Sequence, residues 1–218
     1  MELGYWGIKG IAEPLRYLLS YLKLSYKEVN PSDASDWEIM KNEYQFDFPN
    51  LPFFVDGDIK ITESDSIAMY ISYKADRMEL FGKPGIDSVK HRMLLDVLKE
   101  LRKSLFQVAM SESNKDVFDK FNKSIYEKKL GCISNFLSDK QFLLGYITYS
   151  DFYLHYDSYI MEAICKALER ENPINKYQNL IDHAQNMKQL EGLKDYFDND
   201  IRNFFPYLIQ RVDKLKLE

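Results

Sequence analysis

The sequence predicts an α/β domain followed by an all-helical domain. In about the first eighty residues, short strand-like segments alternate with helical ones in the order βαβ and then ββα, which is typical of an α/β fold. From residue 88 onward, long segments repeat apolar residues at the helical period of about 3.6 and contain few strand signals. Between them lies FGKPGIDS, residues 81–88, whose glycines and proline favour a break. We therefore predict a first domain at 1–82, a linker at 83–88 and a second domain at 89–218.

Strand, helix and strand are predicted in order at the start of the chain. Residues 2–6 form a short apolar strand candidate, and the glycine-containing stretch 7–10 predicts a turn. Residues 12–24 predict a helix because four leucines recur on one stripe, and Pro14 lies in the first turn, where its missing N–H costs nothing. Residues 25–29 predict the second strand. The stripe consists of Leu15, Leu18, Leu19 and Leu22.

A mixed stretch and a β-hairpin precede the last helix of this domain. Residues 30–49 contain turn residues and a short helical piece around 37–43. Residues 53–55 and 59–62 predict two strands, because the Asp-Gly-Asp sequence between them is a hairpin signal. Residues 64–75 predict the helix that completes the ββα order.

The second domain is predicted to be helical throughout. Its helices are expected at 88–110, 115–137, 149–170 and about 174–197. Thr148 and Asp151 have the spacing of a capping box, in which each side chain accepts a hydrogen bond from the backbone N–H of the other. The helix that begins there is apolar on more than one side, which indicates that it is buried.

Composition and charge exclude several classes of function. With 45% hydrophobic and 29% charged residues, the composition is that of a globular protein with a core. The formal net charge of −5 and the scattered basic residues argue against nucleic acid as a partner. No apolar run approaches the roughly 18 residues of a membrane span. The N-terminus lacks a signal-peptide core, so we expect a cytoplasmic protein without a membrane partner.

The cysteines and histidines predict neither a redox centre nor a metal site. Cys132 and Cys165 lie far apart in apolar surroundings, without a CxxC motif or the spacing of zinc ligands. This excludes a dithiol oxidoreductase and indicates an intracellular protein that keeps reduced thiols. The histidines are isolated from one another, so we expect structural or surface roles for them.

Four weak local signals suggest a site for a small extended peptide. Ser64 begins a predicted helix whose free N–H groups suit a carboxylate, and Glu63 beside it suits an ammonium. A carboxylate and an ammonium on one carbon form the end of an amino acid. If the Leu51–Pro52 bond is cis, the backbone of Leu51 faces out and an extended ligand can pair with it. A plain helix cap and a trans proline at a strand edge are the alternatives.

The other two signals supply a second anion contact and an anion donor. Trp37 and Lys41 stand four residues apart, so a helix would place them on one face, where they would hold the ligand's second carboxylate. Tyr5 ends the first predicted strand beside a glycine turn, where its hydroxyl would donate to an anion. A surface lysine beside a packed tryptophan, and a core tyrosine, are the alternatives. Together the four signals outline a tripeptide-sized site with an anion donor in the middle.

The chain resembles the glutathione transferases, and most closely their mu class. The resemblance covers nearly the whole chain and is strongest in the first 82 residues. It rests on LGYWGIKGIAEPLR (3–16), DFPNLPFFVDG (47–57) and ITESDSIAMYI (61–71), with the Trp37 and Lys41 pair and the capping box. It implies a thioredoxin-like first domain with a mixed sheet, an all-helical second domain and a homodimer.

The resemblance also implies a function. The family conjugates the thiolate of reduced glutathione to hydrophobic electrophiles, a detoxifying transfer of alkyl or aryl groups. Glutathione is then a co-substrate, and the reaction needs no metal, no further cofactor and no covalent enzyme intermediate. Alternatives with the same fold are a non-catalytic carrier of apolar ligands and a glutathione-dependent isomerase or peroxidase. Retained motif residues favour the enzyme over a carrier, namely Tyr5, Lys41, Asn50, Pro52 and Ser64.

The contacts to glutathione follow from the matching positions. Tyr5 matches the catalytic tyrosine, whose hydroxyl donates to the glutathione sulfur and favours the thiolate. Trp6 would flank the site. The remaining matches are Trp37 and Lys41 for the glycyl carboxylate, Asn50 and Leu51 for the cysteinyl backbone with Pro52 in the cis position, and Glu63 and Ser64 for the γ-glutamyl end.

The pocket for the second substrate is matched by fewer residues. Ile8 and Ile11 match apolar lining positions, and Leu105 and Val108 on the first long helix are expected to contribute. The polar tyrosine that mu enzymes use near the end of that helix is absent from this sequence, and Glu112 falls nearby.

Several positions depart from the mu pattern. Ala34 stands where mu enzymes have an arginine, so one cation for the glycyl carboxylate is missing and weaker glutathione binding is expected. Mu enzymes have glutamine at Glu63, and they borrow an aspartate from the partner subunit at a position that matches Arg102 or its neighbour Glu100. We hypothesise that Glu63 takes over the ammonium contact within its own subunit. The segment 203–218 also differs from the family tail, and part of it is expected to form another helix.

Overall fold

The computed structural model describes residues 1–199 of the chain. Within them the chain forms two compact units, one of residues 1–78 together with residues 190–199, and one of residues 79–189. The predicted domain limits at 82 and 89 stay a prediction, and by their contacts residues 190–199 belong to the first unit. The segment 203–218, with its expected helix, lies outside the described residues.

A four-stranded mixed sheet forms the centre of the first unit. Its strands are β1 (Glu2–Gly4), β2 (Lys27–Val29), β3 (Phe53–Asp56) and β4 (Ile59–Thr62), in the spatial order β2-β1-β3-β4. The first strand pairs parallel with β2 and antiparallel with β3, and β3 pairs antiparallel with β4. The predicted mixed sheet and the hairpin between β3 and β4 are therefore confirmed.

Three α-helices alternate with these strands along the chain. They are α1 (Glu13–Tyr21), which follows a 3-10 helix at Gly10–Ala12, α2 (Ala34–Tyr44) and α3 (Ser64–Lys74). Helix α2 begins earlier than predicted because the Asp33 carboxylate accepts hydrogen bonds from the N–H groups of Ser35 and Asp36 at 2.8 and 2.9 Å. Fully buried apolar side chains from sheet and helices form the core, among them Leu3, Leu15, Leu18, Phe53, Phe54 and Ile67.

Several elements of this unit are shorter than predicted, among them β1 and α1. Strand β1 ends at Gly4, although the Tyr5 N–H still donates to the Val29 carbonyl at 3.0 Å. Tyr5 therefore stands immediately beyond the carboxyl end of the strand. Helix α1 ends at Tyr21, three residues before the predicted end, because Lys23 adopts a left-handed φ of 54° that an α-helix cannot continue.

Within residues 79–189 the second unit is helical. Its helices are α4 (Ile86–Met110), α5 (Asn114–Phe121), α6 (Glu127–Leu137), α7 (Tyr149–Leu168) and α8 (Gln178–Gln189), and α9 (Lys194–Asn199) follows in the stretch from 190. Helix α4 begins inside the predicted linker, after Gly85 with its φ of 103°. The predicted helix at 115–137 is divided by a π-helical stretch at Asn122–Tyr126. The single helix predicted at about 174–197 is in fact a 3-10 helix at Pro173–Lys176, followed by α8 and the start of α9.

Helix α7 is buried along most of its length, as predicted, and it packs on α4. The predicted capping box is present at its start. The Asp151 carboxylate accepts the Thr148 N–H at 2.8 Å and the Leu143 N–H at 2.8 Å. It also contacts Nε2 of His183, a residue of α8, at 3.0 Å. One carboxylate therefore ties α7 to the preceding loop and to α8.

Candidate active site

Tyr5 lies directly after β1, where the sequence places the anion donor. Its side chain is 8% exposed and packs in a hydrophobic cluster with Phe46, Leu51 and Phe53. The hydroxyl oxygen accepts a hydrogen bond from the Ile11 N–H at 3.3 Å. Accepting this bond uses a lone pair and not the hydroxyl proton. An amide donor on the oxygen also polarises the O–H bond and makes it a stronger donor.

Gly10 brings the loop between β1 and α1 against the phenol. Its φ is 49°, a conformation that side chains other than glycine rarely adopt. A Cβ at this position would lie 2.6 Å from the Tyr5 hydroxyl oxygen and 2.4 Å from a ring carbon. Glycine is therefore required for the loop to place the following N–H on the phenol oxygen.

The Leu51–Pro52 peptide bond is cis, as the resemblance implies. Both residues are buried, and Leu51 belongs to the cluster around Tyr5. The Leu51 N–H donates to the side-chain oxygen of Asn50 at 2.9 Å. A ligand that pairs with this N–H would replace the Asn50 oxygen as its acceptor.

Glu63 and Asn50 are joined by a contact that the sequence did not predict. The Asn50 amide donates to Glu63 Oε1 at 2.9 Å, which orients the carboxylate. Glu63 precedes α3 and has a φ of 68°, a backbone conformation that costs a non-glycine residue about 1–3 kcal/mol. Ser64 beside it begins α3, so its N–H is one of the amides without an intrahelical acceptor. A carboxylate and helix amides therefore meet at the start of α3, and the binding of the γ-glutamyl end by them stays a prediction.

Trp37 and Lys41 occupy one face of α2. The Trp37 ring is half-buried and stacks on Phe53, with ring centroids 6.1 Å apart. The Lys41 ammonium lies 2.6 Å from Glu38 Oε1, one turn earlier in the same helix. Ala34 is the first residue of α2 and is exposed. Any carboxylate that binds to Lys41 must therefore compete with Glu38.

The residues expected around the second substrate fall in both units. Ile8 and Ile11 are partly buried and pack against the cluster around Tyr5, as does Trp6, which is expected to flank the site. Leu105 and Val108 belong to α4 of the second unit and are fully buried. Their assignment to the electrophile pocket stays a prediction.

Arg102 and Glu100 of α4 have opposite environments. The Arg102 side chain is 4% exposed, and its Nε donates to Asp157 Oδ1 at 2.6 Å. Burial raises the pKa of Asp157 to about 6, although the guanidinium opposes this rise. Glu100 is exposed and lies 2.7 Å from the Lys129 ammonium. Of the two residues that match the borrowed aspartate, only Glu100 presents its charge at the surface.

Residues 1–199 contain neither a cluster of metal-ligating side chains nor a helix that could span a membrane. No group of three or more His, Cys, Asp or Glu side chains in this range is arranged to hold a metal ion. Likewise, none of the helices described there is long and apolar enough to cross a membrane.

Comparison with known proteins identifies the family. The N-terminal domain model of glutathione S-transferases matches residues 1–73, and the C-terminal domain model matches residues 96–200. Glutathione S-transferase Mu 1 of Bos taurus is 32% identical over 202 residues, which cover 89% of this chain and 87% of that protein. The chain belongs to the glutathione S-transferase family.

Further relatives agree with this membership. Glutathione S-transferase 2 of Gallus gallus is 34% identical to this transferase over 168 residues, which cover 72% of this chain and 73% of that protein. The solved pi-class glutathione S-transferase of Onchocerca volvulus has a TM-score of 0.76 and 23% identity, and the match covers 90% of this chain and 91% of that one. At that identity the structural likeness supports the fold of the transferase.

Sequence analysis of this transferase missed the groups that support Tyr5. Asn30 donates to the Tyr5 carbonyl at 2.8 Å, and the Ile11 N–H donates to its hydroxyl. A signal for Asn30 existed, because the carboxyl ends of parallel strands meet at one edge of a sheet. A polar residue directly after β2 therefore lies beside the residue directly after β1. Gly10 was recognised only as part of a turn.

Proposed function

We propose that this transferase conjugates reduced glutathione to apolar electrophiles, with Tyr5 as the donor that stabilises the thiolate. The observation that carries the proposal is the Tyr5 hydroxyl, which is enclosed in an apolar cluster and accepts the Ile11 N–H at 3.3 Å. A hydroxyl donor at the sulfur favours the thiolate over the thiol and lowers the thiol pKa. In this scheme glutathione is the co-substrate, and the chemistry draws on no metal or further cofactor.

The reaction has two steps. The thiol of bound glutathione loses its proton to solvent while the Tyr5 O–H donates to the sulfur. A thiolate lone pair then forms the new S–C bond, and in a substitution the leaving group departs with the electron pair of the bond that breaks. Apolar side chains would bind the electrophile: Ile8 and Ile11 beside Tyr5 are proposed for this, and Leu105 and Val108 of α4 match further lining positions.

The two ends of glutathione are held by different charges in this scheme. Lys41 exchanges Glu38 for the glycyl carboxylate, and Trp37 packs beside it. Glu63 and the first amides of α3, beginning at Ser64, bind the ammonium and carboxylate of the γ-glutamyl end. The cysteinyl backbone pairs with Asn50 and Leu51 next to the cis Pro52.

Replacing the proposed donor tests the function. Tyr5→Phe is expected to lower turnover of a chromogenic aryl halide with glutathione by about 10- to 1000-fold, the range for losing one donor to a stabilised anion. The affinity for glutathione should change little, because the contacts at both ends of the peptide remain. An equally active variant would assign the donor to another group.

Tyr44→Phe is the matched control. Tyr44 packs against the same cluster, but its hydroxyl donates to Glu2 Oε2 at 2.7 Å. Burial and this hydrogen bond raise the pKa of Tyr44 to about 12. Its removal should leave turnover close to that of the unmodified protein.

We further propose that the protein is a cytoplasmic homodimer that interacts with neither nucleic acid nor membranes. Membership in the glutathione S-transferase family supports this assembly. A non-catalytic carrier and an isomerase or peroxidase are not favoured, because the relatives are named glutathione S-transferases and the chain retains Tyr5, Lys41 and Ser64.

A further inference from the structure

A buried network of charges lies beneath the loop that reaches the phenol. Arg16 of α1 is completely buried, and its guanidinium contacts two carboxylates. Its Nη1 lies 3.1 Å from Glu13 Oε2, and its Nε lies 2.8 Å from Glu28 Oε1. Burial opposes the charged guanidinium, but the carboxylates of Glu28 and Glu13 raise the pKa of Arg16 above its ordinary value. The side chain therefore remains a cation inside the unit.

Other side chains complete this network. The Lys9 ammonium lies 3.2 Å from Glu13 Oε1, and the Tyr196 hydroxyl donates to the same oxygen at 2.9 Å. The Tyr26 hydroxyl donates to Glu28 Oε1 at 3.2 Å. Two cations and two anions thus compensate one another, and removing one partner would leave a buried charge unpaired.

The same guanidinium holds the loop between β1 and α1. Nη1 of Arg16 donates to the Ile8 carbonyl at 3.1 Å and to the Lys9 carbonyl at 3.0 Å. The next residue is Gly10, and after it comes the Ile11 N–H that donates to the Tyr5 hydroxyl. Fixing the carbonyls just before this N–H determines where it points, because only a few backbone dihedrals separate them.

A second connection reaches the backbone of the tyrosine. The Asn30 amide donates to the Tyr5 carbonyl at 2.8 Å and lies 3.4 Å from Glu28 Oε2. The network is therefore linked to both the main chain and the hydroxyl of Tyr5.

We propose that Arg16 is a positioning residue for the phenol of Tyr5. By holding two loop carbonyls against its buried carboxylates, it keeps the Ile11 N–H on the phenol oxygen. That amide strengthens the phenol as a donor to the thiolate. Arg16 thus acts on the glutathione sulfur only through the loop, and the inference rests on the proposed role of Tyr5.

Arg16→Lys is the variant that tests this role. Lysine retains the charge, but its compact ammonium cannot reproduce the planar fork that serves carbonyls and carboxylates together. With the loop less firmly held, the pKa of the bound thiol should rise by about one unit, so kcat/KM at neutral pH should fall about tenfold. Above the new pKa the rate should recover. The pH dependence of kcat/KM and the ultraviolet absorbance of the bound thiolate both measure this shift.

A structural role alone predicts a different result. It would lower activity by the same factor at every pH and leave the thiolate titration unchanged, which would overturn the inference. Arg102→Lys provides the matched control, because Arg102 is also buried and ion-paired but belongs to the second unit. It should lower thermal stability and leave the pH profile where it is.

Two further variants keep the test decisive. If Arg16→Lys does not fold, Glu28→Gln should shift the pH profile in the same direction by a smaller amount, since Glu28 is partly exposed and the guanidinium remains. A folded Glu28→Gln with an unshifted profile would contradict the inference. In the Tyr5→Phe background, Arg16→Lys should move the thiolate titration no further. An equally active Tyr5→Phe would overturn the proposed role of Tyr5, whereas an impaired Tyr5→Phe with an unshifted Arg16→Lys would overturn only this inference.

Discussion

At the scale of single residues, the close approach of Gly10 to the Tyr5 phenol makes the site sensitive to one methyl group. Gly10→Ala is expected to lower turnover by at least about tenfold, because the new Cβ displaces either the phenol or the amide that bonds it. The left-handed φ should also cost about 1–2 kcal/mol of folding free energy. Steady-state kinetics and chemical denaturation measure the two effects.

Gly7→Ala is the control for this variant. Gly7 lies in the same loop, and a Cβ there would meet nothing within 4 Å. Its turnover and stability should stay close to those of the unmodified protein. Equal losses in the two variants would show that the loop is generally intolerant and would remove the special role of Gly10.

At the scale of elements, the start of α3 combines two complementary charges. The first N–H groups of the helix have no acceptor within it, and its start is a partial positive end, which suits a carboxylate. The preceding Glu63 is held by Asn50 and supplies the negative charge that suits an ammonium. The mu pattern has a neutral glutamine in this place, so we propose that this helix start binds an amino-acid head without a borrowed acid.

Glu63→Gln tests whether the carboxylate makes that contact. The variant should bind glutathione about 3- to 10-fold more weakly, because one exposed charge pair of about 1 kcal/mol is lost. Isothermal titration measures the change, and a glutathione analogue without the α-amino group should bind both proteins equally. Asp58→Asn in the turn between β3 and β4 is the control for removing an exposed acid. If Glu63→Gln binds glutathione with unchanged affinity, Glu63 does not bind the ammonium, and a residue of a partner subunit would have to make this contact.

At the scale of the whole molecule, exposed apolar side chains support the proposed homodimer. Ile86, Val89 and Met93 of α4 are 65%, 61% and 50% exposed. Their spacing places them on one face of the helix, and exposed apolar surface of this kind marks protein–protein contacts. In the first unit, Phe48 and Tyr73 are 78% and 72% exposed.

Val89→Glu is expected to weaken the dimer at least about tenfold, because a carboxylate buried without a partner costs more than 1.4 kcal/mol. Analytical ultracentrifugation should find twice the chain mass of 25.8 kDa for the unmodified protein and a shift toward 25.8 kDa for the variant. Met110→Glu is the control, since Met110 is also exposed and lies about 30 Å away at the other end of α4. A native chain that sediments as a monomer would contradict the proposed assembly.

Short-range order was predictable from the amino-acid sequence alone. The hairpin at Asp56 and Gly57, the capping box at Thr148 and the apolar periodicity of α4 and α7 all depend on neighbours within about four residues. The motifs of the first domain also supplied the proposed site residues from Tyr5 to Ser64, because the resemblance rests on contiguous segments, and their roles stay predictions. The predicted ends of helices and strands were less accurate, as for α1, because single residues such as Lys23 determine where a helix ends.

Tertiary structure alone decided which groups support those residues. Arg16 and Glu28 are 12 residues apart in the sequence, and Asn50 and Glu63 are 13 apart. No local sequence pattern therefore predicts either contact. Burial separated Arg102 from Glu100, two positions apart on the same helix, because one faces Asp157 in the core and the other faces Lys129 at the surface. A sequence specifies local geometry through neighbouring residues, but the environment of a side chain depends on which distant segments the completed fold places around it.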